Sequence, residues 1–124
     1  MELVPKVLVV EDEAIPALLL SRFLRSLGFA EVDCESTGRG AVRRAEAMRY
    51  GLVFMDIGLA DELDGIDAAR AILAIQVPRL FFMTGYADED MEARARALGP
   101  ERYFIKPLDL ERIRQAVLAG PAGG

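Results

Sequence analysis

The chain has 124 residues, 52% of them apolar and 28% charged, with a formal net charge of −5 and a single cysteine. These numbers suit one soluble globular domain, able to bury roughly two thirds of its unfolded surface. The acidic balance argues against nucleic acid as a direct partner, the lone Cys34 excludes an internal disulfide, and the absence of histidine excludes a Ser-His-Asp triad, a His-Cys zinc site and an internal phosphohistidine.

In chain order, "KVLVVED" reads as a strand. "EAIPALLLSRFLRSLG" follows with Leu20, Phe23, Leu24 and Leu27 at helical spacing, Pro16 in the tolerant first turn and a stop at Gly28. "EVDCE" alternates: Val32 and Cys34 face one way, and Glu31, Asp33 and Glu35 the other. "TGRGAVRRAEAMRY" is helical through Val42, Ala45 and Met48. "LVFMD" is a strand, "IDAARAILAI" a helix with Ile66, Ala69 and Leu73 on one face, and "RLFFMT" a strand. "DEDMEARARALG" is a helix, "RYFIK" a strand, and "DLERIRQAVLAG" a last helix through Leu110, Ile113 and Val117. No apolar run approaches the ~18 residues of a membrane span, and residues 1–11 hold no signal-peptide core. The expectation is a cytoplasmic protein with no membrane partner.

Five strand–helix units imply an α/β fold, a doubly wound parallel sheet with helices on both faces. Four strands read as continuously apolar, as interior strands should. The alternating "EVDCE" suits an edge and puts strand 2 outside strand 1. With right-handed crossovers the order becomes 2-1-3-4-5, the flavodoxin-like arrangement. Ligands bind such sheets at the carboxyl ends of the strands beside the switch point, between strands 1 and 3.

Those ends carry the polar residues of interest. Strand 1 ends in Glu11 and Asp12, strand 3 in Asp56, strand 4 in Thr84 and strand 5 in Lys106. Gathered carboxylates repel unless a cation neutralises them. Mg²⁺ fits, because it takes oxygen ligands, uses one or two carboxylates and keeps waters that a phosphate can replace. Asp12 and Asp56 are its candidate carboxylates, Lys106 adds positive charge and Thr84 a hydroxyl donor. One carboxylate can then act as a nucleophile in phosphoryl transfer. Each residue also has a plainer reading: Asp12 as a helix cap, Thr84 as a turn hydroxyl, Lys106 as a surface lysine reaching solvent.

The segments "VLVVEDE", "LVFMDIGL", "DGIDAARAI", "FFMTGYAD" and "YFIKPL" together resemble the response-regulator receiver domain of two-component signalling, of the chemotaxis-regulator kind. The resemblance covers about residues 5–118 and implies a single domain over 1–124, with 119–124 as a flexible tail. It implies that Asp56 is the phospho-acceptor and that Glu11, Asp12, Asp56 and the Gly58 backbone carbonyl hold Mg²⁺. It implies that Thr84 and Lys106 contact the phosphoryl group, that Tyr103 is the switch aromatic and that the Lys106–Pro107 bond is cis. The partners implied are a histidine kinase or histidine phosphotransfer protein and a downstream effector, with a phosphorylation-dependent dimer as an option. The strand 4–helix 4–strand 5 face is the surface expected to change. Such a domain catalyses only its own phosphorylation and dephosphorylation. Three positions depart from the common pattern: Ala60 stands where proline is usual, the loop before Asp64-Gly65 is one residue longer, and Leu108 replaces a phenylalanine.

Two other functions compete. A pseudo-receiver would bind partners without phosphorylation. An aspartyl-nucleophile hydrolase would need a second aspartate at position 58, where glycine stands. Among decoys, "STGRG" lacks the lysine of a phosphate-binding loop and reads as a helix cap through Thr37. Cys34 reads as a small buried apolar residue. Arg94 and Arg96 read as part of a solvated face, near enough to Tyr103 for a weak docking role.

Overall fold

The structure, a computed structural model, describes residues 4–60, 62–86 and 88–120. Of the expected tail, 121–124 lie outside the described residues, as does Asp61 in the loop after Asp56. Strands β1 (Val7–Val10), β2 (Val32–Glu35), β3 (Leu52–Asp56), β4 (Arg79–Thr84) and β5 (Arg102–Ile105) alternate with helices α1 (Ala14–Ser26), α2 (Gly38–Ala47), α3 (Gly65–Leu73), α4 (Glu89–Arg96) and α5 (Leu110–Leu118). The strands form one parallel sheet in the order β2-β1-β3-β4-β5, as the sequence predicts.

Local chemistry starts most of the helices. Thr37 accepts from the Gly40 N–H, Asp64 from Asp67, Asp88 from Asp90 and Met91, and Asp109 from Glu111 and Arg112. Each satisfies first-turn donors that have no partner within the helix. The first helix differs: its N-cap is Glu13, without a side-chain cap bond, so Asp12 does not serve as a cap. Gly28, at φ 107°, lets the chain reverse after α1.

Alternation along the strands divides the core into two layers. Leu8, Val10, Val53, Met55, Leu80 and Phe82 pack against α2, α3 and Ala95 of α4. Val7, Val9, Leu52, Phe54, Phe81 and Met83 pack against α1 and α5. The largest of these side chains each contribute about 1.5–3 kcal/mol when fully buried. Among the described residues no helix is long and apolar enough to cross a membrane.

Three expectations are corrected. Strand β5 reads as continuously apolar, like an interior strand, but lies at the margin that the order 2-1-3-4-5 gives it. It forms the second edge, with Tyr103 and Phe104 half-buried on opposite faces and Ile105 exposed. Cys34 is exposed rather than buried, because β2 is the other edge and no strand covers its outer side. Met48 and Leu110 continue the helical spacing but are exposed at the end of α2 and the start of α5.

Candidate phosphoryl-transfer site

Register builds the site. Val10 pairs with Met55, so Glu11 and Asp56 are the next residues on neighbouring strands. Asp56 pairs with Met83, which precedes Thr84, and Thr84 pairs with Ile105, which precedes Lys106. The Lys106 N–H donates to the Thr84 carbonyl at 2.7 Å and secures the last step. The register of the parallel strands therefore carries four polar side chains to one end of the sheet.

Glu11, Asp56 and Thr84 are all at least 95% buried, while Asp12 at the rim is exposed. Lys106 Nζ lies 2.6 Å from Glu11 Oε2 and 3.3 Å from Asp56 Oδ2. One ammonium thus faces two buried carboxylates. Burial pushes the Glu11 carboxyl up to about 7; the Lys106 hydrogen bond opposes the shift and neighbouring Asp56 adds to it. Burial works against the charge on Lys106, but Glu11 and Asp56 outweigh it and its pKa is raised. Asp56 also accepts the Gly58 N–H on Oδ1 at 3.0 Å. Glu11 Oε1 accepts the Glu13 N–H at 3.2 Å.

The donor set suits a hard divalent cation. Glu11, Asp12 and Asp56 each offer a carboxylate oxygen, and these oxygens lie within 4.8 Å of one another. Two of the three acids are buried with a single lysine between them, so the pocket carries excess negative charge. An oxygen-preferring divalent ion such as Mg²⁺ would relieve that excess.

Around this core, the Thr84 hydroxyl accepts the Tyr86 N–H at 3.1 Å. Tyr103 packs against the inner cluster that holds Phe82 and Ala95. Burial raises the Tyr103 phenol's pKa, Glu92 adds to the shift, and a hydrogen bond with the Thr84 side chain opposes it. The Lys106–Pro107 peptide is cis.

Three positioning features escape sequence reasoning. Lys106 is closer to Glu11 than to Asp56. Gly58 presents its N–H to Asp56. Gly65 opens α3 where a Cβ would overlap the Asp56 carbonyl and the Ile57 Cα, so only glycine lets the helix start this near the strand end. The "DG" pair was the available signal for the last of these, although a turn-and-cap reading explains it equally well.

Comparison with known proteins agrees with this geometry. The model of the response regulator receiver domain matches residues 7–118. The transcriptional regulatory protein PdtaR of Mycobacterium tuberculosis is 33% identical over 112 residues, covering 90% of this chain and 54% of PdtaR. The chain thus spans about half the length of that curated relative. The receiver domain of a sensor histidine kinase from Pseudomonas aeruginosa, with a magnesium ion in its active-site cleft, superposes with a TM-score of 0.79 at 30% identity, covering 94% of this chain and 98% of the other. A response regulator from Burkholderia pseudomallei, with a phosphorylated aspartic acid, a calcium ion and citrate, gives a TM-score of 0.82 at 26% identity over 90% of this chain and 65% of its own. With its sheet order, its strand-end acids and lysine, and a family match across nearly its whole length, this chain belongs to the response regulator receiver domain family.

Proposed function

We propose that the protein is a phosphorylation-activated signalling switch. Asp56 takes a phosphoryl group from the phosphohistidine of a histidine kinase or phosphotransfer protein. A carboxylate oxygen of Asp56 bonds to phosphorus, the phosphorus–nitrogen bond breaks, and the electron pair stays on the donor imidazole. The observation that carries this reading is the buried Asp56 carboxylate held 3.3 Å from Lys106 and beside Glu11 at the sheet's C-terminal end.

Each residue has a distinct task. Glu11, Asp12 and Asp56 are the carboxylates that would hold Mg²⁺, with the Gly58 carbonyl as a further ligand. Bound there, Mg²⁺ would offset charge on the phosphoryl oxygens. Lys106 supplies a second positive charge beside Asp56 and Glu11. The Gly58 N–H orients the Asp56 carboxylate. Thr84 donates its hydroxyl to the phosphoryl group once the group is attached. The hydroxyl's movement frees room into which Tyr103 turns, and the β4–α4–β5 face changes with it. That face then controls a downstream effector, and a phosphorylation-dependent dimer is one form the output can take. The expected setting is the cytoplasm, where such kinases present their phosphohistidine.

Acetyl phosphate with Mg²⁺ supplies the test. Intact-mass measurement should show one phosphoryl adduct on the wild-type protein and none on Asp56→Asn. No adduct in the wild type under any donor would favour a pseudo-receiver. Rapid turnover of phosphate esters would favour a hydrolase.

A further inference from the structure

Helix α4 sends two arginines in different directions. Arg94 Nη2 lies 3.7 Å from Asp67 Oδ1 and 4.0 Å from Asp64 Oδ2, at the start of α3. Arg96 reaches β5 instead, with its guanidinium carbon 5.2 Å from the centroid of the Tyr103 ring. Glu92, one helical turn back, accepts from Arg96 Nε at 2.7 Å and aims the guanidinium. On its inner side the same ring packs on the buried cluster that holds Phe82 and Ala95. A run of contacts, Glu92–Arg96–Tyr103, therefore links the exposed side of α4 to the buried cluster under β4, the strand that ends in Thr84.

We propose that Arg96 is a positioning residue for Tyr103: aligned by Glu92, its guanidinium caps the ring and biases it inward, toward the buried cluster it packs on. The inference rests on the reading of Asp56 as phospho-acceptor and Tyr103 as the aromatic that answers Thr84. A cation over a tyrosine face at an exposed site changes an equilibrium roughly two- to five-fold. By linkage, whatever favours the inward ring favours the phosphorylated state by the same factor. The sequence alone places Arg96 on a solvated face; the structure gives that face a role in the switch.

Two readouts test it. In protein labelled with 3-fluorotyrosine, a soluble neutral gadolinium chelate reports the exposure of each ring, with the Tyr103 signal assigned by Tyr103→Phe. Arg96→Met keeps the stem's cover and removes the charge; Arg96→Lys keeps the charge. The Tyr103 ring should become more accessible in Arg96→Met and return toward wild type in Arg96→Lys, with Tyr50 and Tyr86 unmoved. Phosphorylation of Asp56 by acetyl phosphate should slow roughly two- to five-fold in Arg96→Met. The same substitution should be silent in a Tyr103→Ala background. Unchanged Tyr103 accessibility in folded Arg96→Met overturns the proposal, as does a rate effect that persists without Tyr103. If the wild type accepts no phosphoryl group, the reading of the site fails instead, and the accessibility measurement still decides whether Arg96 holds the ring.

Discussion

At the scale of single residues, the site balances two buried acids against one lysine, and the exposed Asp12 completes the acidic group. Asp12→Asn removes a rim carboxylate without disturbing the core. Stability in the absence of divalent ions should change by less than about 0.5 kcal/mol. The rise in melting temperature that Mg²⁺ should give the wild type should shrink or vanish in this variant, as followed by differential scanning fluorimetry with and without chelator. Gly65→Ala acts by sterics, since the new methyl meets the backbone of Asp56 and Ile57. It should cost about 1–3 kcal/mol in denaturant unfolding and slow phosphoryl acceptance. The identity of the polar residues was legible because strand ends punctuate apolar runs. Their pairing was not: that Lys106 sits nearer Glu11 than Asp56 depends on register and depth, which no spacing within a single strand encodes.

At the scale of elements, the parallel order could be read from one strand. The alternation in "EVDCE" marks an edge, and the other strands follow. The order puts strand 5 at the second edge, but its own residues do not announce it: "RYFIK" is largely apolar in composition, although Arg102 and Ile105 are exposed at the sheet margin. Gln76 was also invisible, being a lone polar residue in a short connection. Buried in the fold, it accepts the Tyr50 N–H at 2.7 Å and donates to the Ala45 and Met48 carbonyls at 2.8 and 2.9 Å. It thereby ties the end of α2 to the entry of β3. Gln76→Ala leaves these groups unsatisfied and should cost about 2–3 kcal/mol in urea unfolding, with Asp56 chemistry retained. A measured loss below about 0.5 kcal/mol would remove Gln76 from this account.

At the scale of the whole molecule, stability and chemistry occupy opposite ends of the sheet. Arg79 opens β4 and makes a two-pronged pair with Glu101 at 2.7 and 2.9 Å; it also donates to the Ala116 and Val117 carbonyls that close α5. Arg79→Ala strands a largely buried Glu101 and should lower stability by about 3 kcal/mol. Thr84, at the far end of the same strand, should keep its place, so phosphoryl acceptance should survive under folding conditions. Alkaline pH probes another junction, between α2, β2 and β3. Burial pushes the Tyr50 phenol up to about 12, and its hydrogen bond to Asp33 at 2.6 Å raises it further. Its contribution is therefore complete below the unfolded value of about 10 and is lost as pH rises toward 12. Tyr50→Phe should be less stable at neutral pH by about 1 kcal/mol and show a flatter decline across that window.

The central claim is that Asp56 is the residue that carries the phosphoryl group. After incubation with acetyl phosphate and Mg²⁺, borohydride reduces an aspartyl phosphate to homoserine and fixes its position against hydrolysis. Proteolysis and fragment sequencing by mass spectrometry should then place homoserine at position 56 and at no other acid, with none formed when Mg²⁺ is chelated. Homoserine at Asp12 or Glu11 in place of Asp56, or none at any acid of the wild-type protein, would contradict it.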